Sequence, residues 1–326
     1  MVLILRLCRL KGGRSYLSTL DLIKMDNRRE FLLKLGISAV GIAGINGMAK
    51  AFSFKKNDFF EISLAQWSFY QSLFSGKMSN LDFPAKAKND FGINIVEYVG
   101  VFFQKKETDK NYLKELKQRT DDLDVYNHLI MVDGEGDLGD THDNERQKAI
   151  ENHYKWVEAA RFLGCKSIRV NASGAGKRDA VAAAAVDGLA KLTDFAKWHH
   201  LNVIVENHGG YSSDGKWLSG VISQVNDAFC GTLPDFGNFH ISETETYDKY
   251  LGVKELLPYA KGISAKTFEF DAQGNETSID YKRMFRMIKD SGFRGIVGIE
   301  YEGSRLSADE GIRATKKLLE KVRAEL

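Results

Sequence analysis

Val203-Ile204-Val205-Glu206-Asn207-His208-Gly209-Gly210 opens with three β-branched apolar residues and closes on an acid, an amide and an imidazole before a glycine pair. A short continuous apolar run reads as a strand buried on both faces, as in parallel sheets. It follows the alanine-rich segment 178–199, which reads as a helix. The same pairing repeats outward in both directions. Before it stand ISLAQWSFY (62–70), INIVEYVG (93–100), VYNHLIMVD (125–133) and SIRVN (167–171); after it stand GTLPDFGN (231–238), KGISAKTFEF (261–270) and GIVGIEYEG (295–303). Helical stretches are expected around 80–91 and 109–121, up to Gly164, from near Trp217, and over 306–324.

Strict alternation of strand and helix implies a parallel sheet, and eight such units imply closure into a (β/α)8 TIM barrel, an α/β fold of a single domain. A doubly wound open sheet is the competitor, but no Gly-x-Gly-x-x-Gly turn follows the first strand. The 326 residues hold one barrel of about 250 residues with extensions.

The first 51 residues read as an N-terminal extension and an export signal, leaving a catalytic domain over 52–326. Asn27-Arg28-Arg29-Glu30-Phe31-Leu32-Leu33-Lys34 precedes the small, apolar LGISAVGIAGINGM and then Ala49-Lys50-Ala51. A basic start, a short apolar run and an A-x-A site make a signal peptide, and the paired arginines resemble a twin-arginine signal. The expectation is a periplasmic enzyme with no membrane span after cleavage. Met1 and Met25 both stand as candidate starts.

A net charge of +2, part of it in the basic leader, gives no field favouring nucleic acid. Cys8, Cys165 and Cys230 are too few and too scattered for a disulfide framework or a zinc cluster. A small-molecule partner is expected, and a homo-oligomer is left open.

In a barrel the C-terminal strand ends share one mouth. Those ends read Gln66 and Trp67, Glu97, Asp133, Arg169 and Asn171, Glu206 with Asn207 and His208, Asp235 and Asn238, Ser264 with Lys266 and Glu269, and Glu300 with Glu302. Carboxylates gathered in one pocket raise one another's pKa unless a cation neutralises them. Glu206, Asp235 and Glu300 therefore suit a divalent metal, Mn²⁺, Mg²⁺ or Zn²⁺. Trp67 offers a face for a sugar ring or a core contact. The long, polar connection GEGDLGDTHDNE (134–145) leaves the same end and reads as a lid or a mobile segment.

Through VIVENHGG, LPDFGN, SAKTFEFD and GIVGIEYEG the chain resembles the xylose-isomerase-like barrels, the sugar (phosphate) isomerases and epimerases. The resemblance implies a metal held by a strand-five Glu, a strand-six Asp, a strand-seven His and a strand-eight Glu. Glu206, Asp235 and Glu300 match three of these, but Ser264 stands where the histidine is expected, and Asn238 where a further imidazole is common. His208, His240 or water is left to fill the fourth position.

The implied chemistry is proton abstraction beside the carbonyl of a non-phosphorylated keto sugar, with Glu206 and Glu300 as base and acid and Lys266 steadying an oxyanion. Trp67, Glu97, Asp133, Arg169, Asn171, His208 and Asn238 would bind the substrate. One alternative is a lyase or hydratase acting on 3-keto sugars or glycosides. The other is a sugar-binding barrel without catalysis.

Overall fold

The computed structural model describes residues 58–326, so the leader and signal readings lie outside the described residues. Eight parallel strands follow in order: β1 (Phe60–Ala65), β2 (Ile95–Val99), β3 (Tyr126–Met131), β4 (Ser167–Val170), β5 (Asn202–Glu206), β6 (Cys230–Leu233), β7 (Ile263–Thr267) and β8 (Gly295–Tyr301). They pair in the order β6-β5-β4-β3-β2-β1-β8-β7. The ring shuts between β6 and β7 through two isolated parallel bridges, Thr232 with Ala260 and Asp235 with Ser264. This seam is thin because Pro234 has no N–H to give to a ladder. It is stitched by Ser264 N donating to Pro234 O at 2.9 Å and Phe236 N donating to Ser264 O at 3.2 Å.

Nine helices surround the strands among the described residues: α1 (Tyr70–Phe74), α2 (Phe83–Phe91), α3 (Lys110–Asp122), α4 (Asp143–Leu163), α5 (Arg178–Trp198), α6 (Gly215–Val225), α7 (Lys249–Leu256), α8 (Tyr281–Asp290) and α9 (Ala308–Glu325). Their ends follow local chemistry. Pro84 sits in the first turn of α2, where its missing N–H costs nothing. Asp109, Asp214, Asp248 and Asp280 cap α3, α6, α7 and α8 by accepting from free backbone N–H groups. Ser307 and Glu310 form a reciprocal capping box at the start of α9. None of the described helices is long and apolar enough to cross a membrane.

The sequence reading carried most strands too far. β1 stops at Ala65, and Gln66 and Trp67 lie on a 3-10 turn over Gln66–Phe69. Asp133, Asn171, His208, Asn238 and Glu302 likewise lie beyond their strands, in the loops of the mouth. The reading also named no helix between β6 and β7 or between β7 and β8, where α7 and α8 stand. Within α7, Gly252 lowers helix propensity but is required: a Cβ there would lie 2.2 Å from the Phe239 ring.

The connection from β3 to α4 is packed down onto its neighbours. Gly139 N donates to Ser173 O at 2.7 Å, and a Cβ on Gly188 of α5 would lie 2.1 Å from the Leu138 carbonyl oxygen.

Candidate active site

Glu206 ends β5, Asp235 forms the β6–β7 bridge and Glu300 lies on β8, and the parallel register turns all three inward. Each offers an oxygen to a group whose members lie within 4.8 Å of one another, and all three are buried. Asp235 is the most rigidly held. Its Oδ1 accepts from Gly237 N and Asn238 N, both at 2.8 Å, while Asn207 grips its main chain by accepting from Asp235 N at 2.8 Å and donating to Asp235 O at 3.0 Å. Asp235 Oδ2 is thereby left to face the site.

Ser264 Oγ lies 2.8 Å from both Asp235 Oδ2 and Glu300 Oε2. Lys266, two residues on and on the same face of β7, is 2% exposed. Its ammonium sits 3.2 Å from Glu300 Oε1, 3.2 Å from Glu302 Oε1 and 3.6 Å from Asp235 Oδ2, and donates to Asn238 Oδ1 at 3.3 Å. Burial opposes its charge, but Asp235, Glu300, Glu302 and Glu206 outweigh burial and hold its pKa well above the usual lysine value. Its position is that of a counter-charge bound to the acids.

On the opposite wall, Arg169 of β4 touches Glu206 Oε2 with one guanidinium nitrogen and Asp133 Oδ1 at 2.6 Å with the other. Asn171 donates to the same Asp133 oxygen at 2.7 Å. Burial, with the charges of Glu300 and Asp235, pushes Glu206 well above the ordinary carboxylate value despite Arg169. Glu300 goes the other way, because Lys266 and the Ser264 hydroxyl outweigh its burial.

The remaining sequence candidates divide by depth. Trp67 Nε1 donates to Glu302 Oε1 at 2.6 Å, so its ring lies beside the mouth, stacked on Tyr70 at 5.3 Å. His208 stands at the exposed rim just before Gly209, its imidazole held below the ordinary value by partial desolvation and by Arg169. Asn238 reaches Lys266. Glu97 is enclosed inside the barrel at 1% exposure, its Oε1 accepting from Ser63 Oγ at 2.6 Å, and burial pushes its carboxyl up to about 8.

Sequence reasoning missed Ser63 and Gly298 beneath the site. A Cβ on Gly298 would lie 2.7 Å from Glu97 Oε2, so the glycine makes the room that the acid occupies. It also gave Glu302 no role, although this residue joins Trp67 to Lys266. A second acid two residues after Glu300 was the available signal.

The donor set fits a divalent cation. Glu206, Asp235, Glu300, Glu302 and Asp133 surround only two cations, Lys266 and Arg169, which leaves the cluster acidic. Among the described residues Glu206 Oε2 has the Arg169 ion pair, but neither Glu206 oxygen receives a well-directed hydrogen bond. With Ser264 in place of imidazole the ligands are all oxygen, the preference of hard cations.

Residues 85–322 match the family described as Xylose isomerase-like TIM barrel. The chain belongs to that family. No curated protein matches it in sequence. Among solved structures, 3-keto-D-glucoside 4-epimerase from E. coli is 15% identical with a TM-score of 0.62, covering 80% of this chain and 99% of that one. The IOLI protein, with a bound zinc atom, is also 15% identical at TM-score 0.62, covering 82% and 99%. The probable 3-DHS dehydratase from Bacillus anthracis is 17% identical at TM-score 0.56, covering 80% and 99%. At these identities the likeness is one of fold.

Proposed function

We propose that this chain is a sugar isomerase or epimerase that moves a proton at the carbon next to the carbonyl of a non-phosphorylated keto sugar. The observation carrying this reading is the pair Glu206 and Glu300, on separate strands and each against its own cation, Arg169 for the first and Lys266 for the second. For inversion, the ionised member of the pair takes the proton from carbon, and the protonated member returns one to the opposite face. No net proton is gained or lost, and the roles exchange for the reverse reaction.

When bound, a divalent cation held by Glu206, Asp235 and Glu300 supplies positive charge against the developing enediolate. Asp235 is fixed as a ligand by its backbone donors, Lys266 neutralises the acids around Glu300, and Arg169, Asn171 and Asp133 form a polar wall for hydroxyls. The surplus of acids repels a phosphate, which supports a neutral sugar. The neighbouring 3-keto-D-glucoside epimerase supports the same class of substrate.

The same abstraction followed by loss of a substituent gives a lyase or hydratase, a second reading favoured by the dehydratase among the neighbours. The Arg28-Arg29 leader supports export to the periplasm, checked by fractionating cells that express the full chain.

The test is solvent exchange. Keto sugars incubated with the protein and Mn²⁺ in D₂O are followed by NMR for deuterium at the carbon beside the carbonyl. Exchange with recovered epimer or isomer is expected, and an unsaturated product would assign the elimination. Glu206→Gln and Glu300→Gln should each lower exchange by about 100-fold or more. Sugar binding with no exchange under any divalent metal would reassign the chain as a binding protein.

A further inference from the structure

We infer that the loop 134–145 builds a second sugar subsite beside the carboxylate triad, so that the substrate is a glycoside of at least two rings. This rests on the keto-sugar reading above and names its substrate class. The loop, with the first turns of α4, lines a half-open cavity of about 380 Å³ whose wall includes Glu135, Asp137, Asp140, Glu145 and His153. That volume falls within the range of small-molecule pockets, about 300–1,000 Å³.

The cavity adjoins the site. Asn171 lines it and also donates to Asp133, which holds Arg169, which touches Glu206. Asn171, Asp133 and Arg169 thus join the cavity wall to the triad, and the proposal seats the carbonyl end of the sugar at the triad and its glycosidic substituent on the loop side of these residues.

The wall is built before any ligand arrives. Ser173 Oγ donates to Asp137 Oδ1 at 2.5 Å, and Gly139 is tied to Ser173 through the main chain. Glu135 is fixed by Trp156 Nε1 at 2.7 Å and Lys155 Nζ at 2.9 Å. A cavity of this kind binds with little ordering cost.

His153 indicates what it accepts. The side chain is 3% exposed, and Nδ1 faces the Ala149 carbonyl oxygen at 2.7 Å. A carbonyl only accepts, so Nδ1 carries the hydrogen, and in the neutral ring Nε2 presents a lone pair. Burial holds the imidazole below its ordinary pKa. Among the described residues only the Nδ1 bond is made, and His153 lines the cavity, so the Nε2 lone pair is open to it. The carboxylates beside it are acceptors too. A wall rich in acceptors and poor in donors suits hydroxyl groups, and its negative charge disfavours phosphate or uronate groups.

The experiment measures calorimetric binding of methyl 3-keto-glucoside, with one sugar ring, and 3-keto-cellobiose, with two. The full-length protein is compared with Asp137→Asn/Glu145→Gln and with His153→Gln, each checked by thermal unfolding. The wild type should bind the two-ring probe about 10-fold more tightly, and either variant should erase most of that preference while leaving one-ring binding unchanged. Equal affinity for the two probes, or equal weakening of both, overturns the subsite.

If solvent exchange at the triad fails but the two-ring preference falls in the variants, the subsite stands and the reaction is wrong. Mn²⁺ is also titrated into Glu206→Gln/Glu300→Gln protein. Binding that disappears on adding Glu145→Gln would make the cavity a cation site and overturn the sugar assignment.

Discussion

Ser264 Oγ is 2.8 Å from Asp235 Oδ2 and 2.8 Å from Glu300 Oε2, joining the strand that closes the barrel to both of its neighbours. A hydroxyl has one hydrogen to donate, so it fully satisfies only one of two ionised carboxylates. The second contact is relieved when one carboxyl carries a proton or when a cation enters. At the position where the family resemblance implies a histidine, Ser264 makes the acid cluster all-oxygen and dependent on charge from outside.

Metal choice should follow from that position. Calorimetry should give the wild type a narrow gap between Mn²⁺ and Zn²⁺, and Ser264→His should widen it toward Zn²⁺ by about 10-fold or more, since imidazole suits zinc better than a hydroxyl does. An unchanged gap would mean that Ser264 does not face the cation.

Lys266→Met removes the buried ammonium from among four acceptors. Breaking a buried pair from one side costs about 3–5 kcal/mol, and urea unfolding in EDTA should show a loss of that order. Mn²⁺ should recover a larger share of stability in the variant than in the wild type, because the cation takes over the neutralisation. Equal recovery in both would separate Lys266 from the metal site.

Glu97 gives a pH signature. Its folded pKa of about 8 lies above its ordinary 4.5, so between these values the folded protein keeps a proton that the unfolded chain releases. Stability should therefore fall as pH rises through that window and level off above it, with a slope of up to about 1.4 kcal/mol per pH unit. Glu97→Gln keeps an oxygen for Ser63 and removes the ionisation, so denaturant titrations from pH 5 to pH 9 should show its advantage over wild type growing with pH. An advantage independent of pH would refute the assignment.

The fold was legible because the barrel strands are continuous apolar runs; VIVE and GIVGIE cannot hide one face from a core. The triad was legible for a related reason, since a charged residue at the end of such a run has only the mouth to face. The overlong strands came from Trp67 and Phe268, aromatic residues that continue a β-like pattern past the point where the chain turns. α8 was missed because YKRMFRMIKD is short and half of it is charged, although Met284, Phe285 and Ile288 are fully buried along one stripe. Long-range partners leave no mark on a sequence. The seating of Glu97 against Gly298, about 200 positions apart, depends on two strands meeting across the barrel.

The seam between β6 and β7 makes the same residues both clasp and contents. If the ring breathes, it should part where Ser264 N meets Pro234 O, and that opening also draws Asp235 away from Glu300. Whatever occupies the triad then acts as a rivet. Amide hydrogen exchange at Ser264 and Phe236 should slow on ligation more than in the continuous β7–β8 ladder on the other side of β7, recording occupancy as a change in how often the barrel comes unlatched.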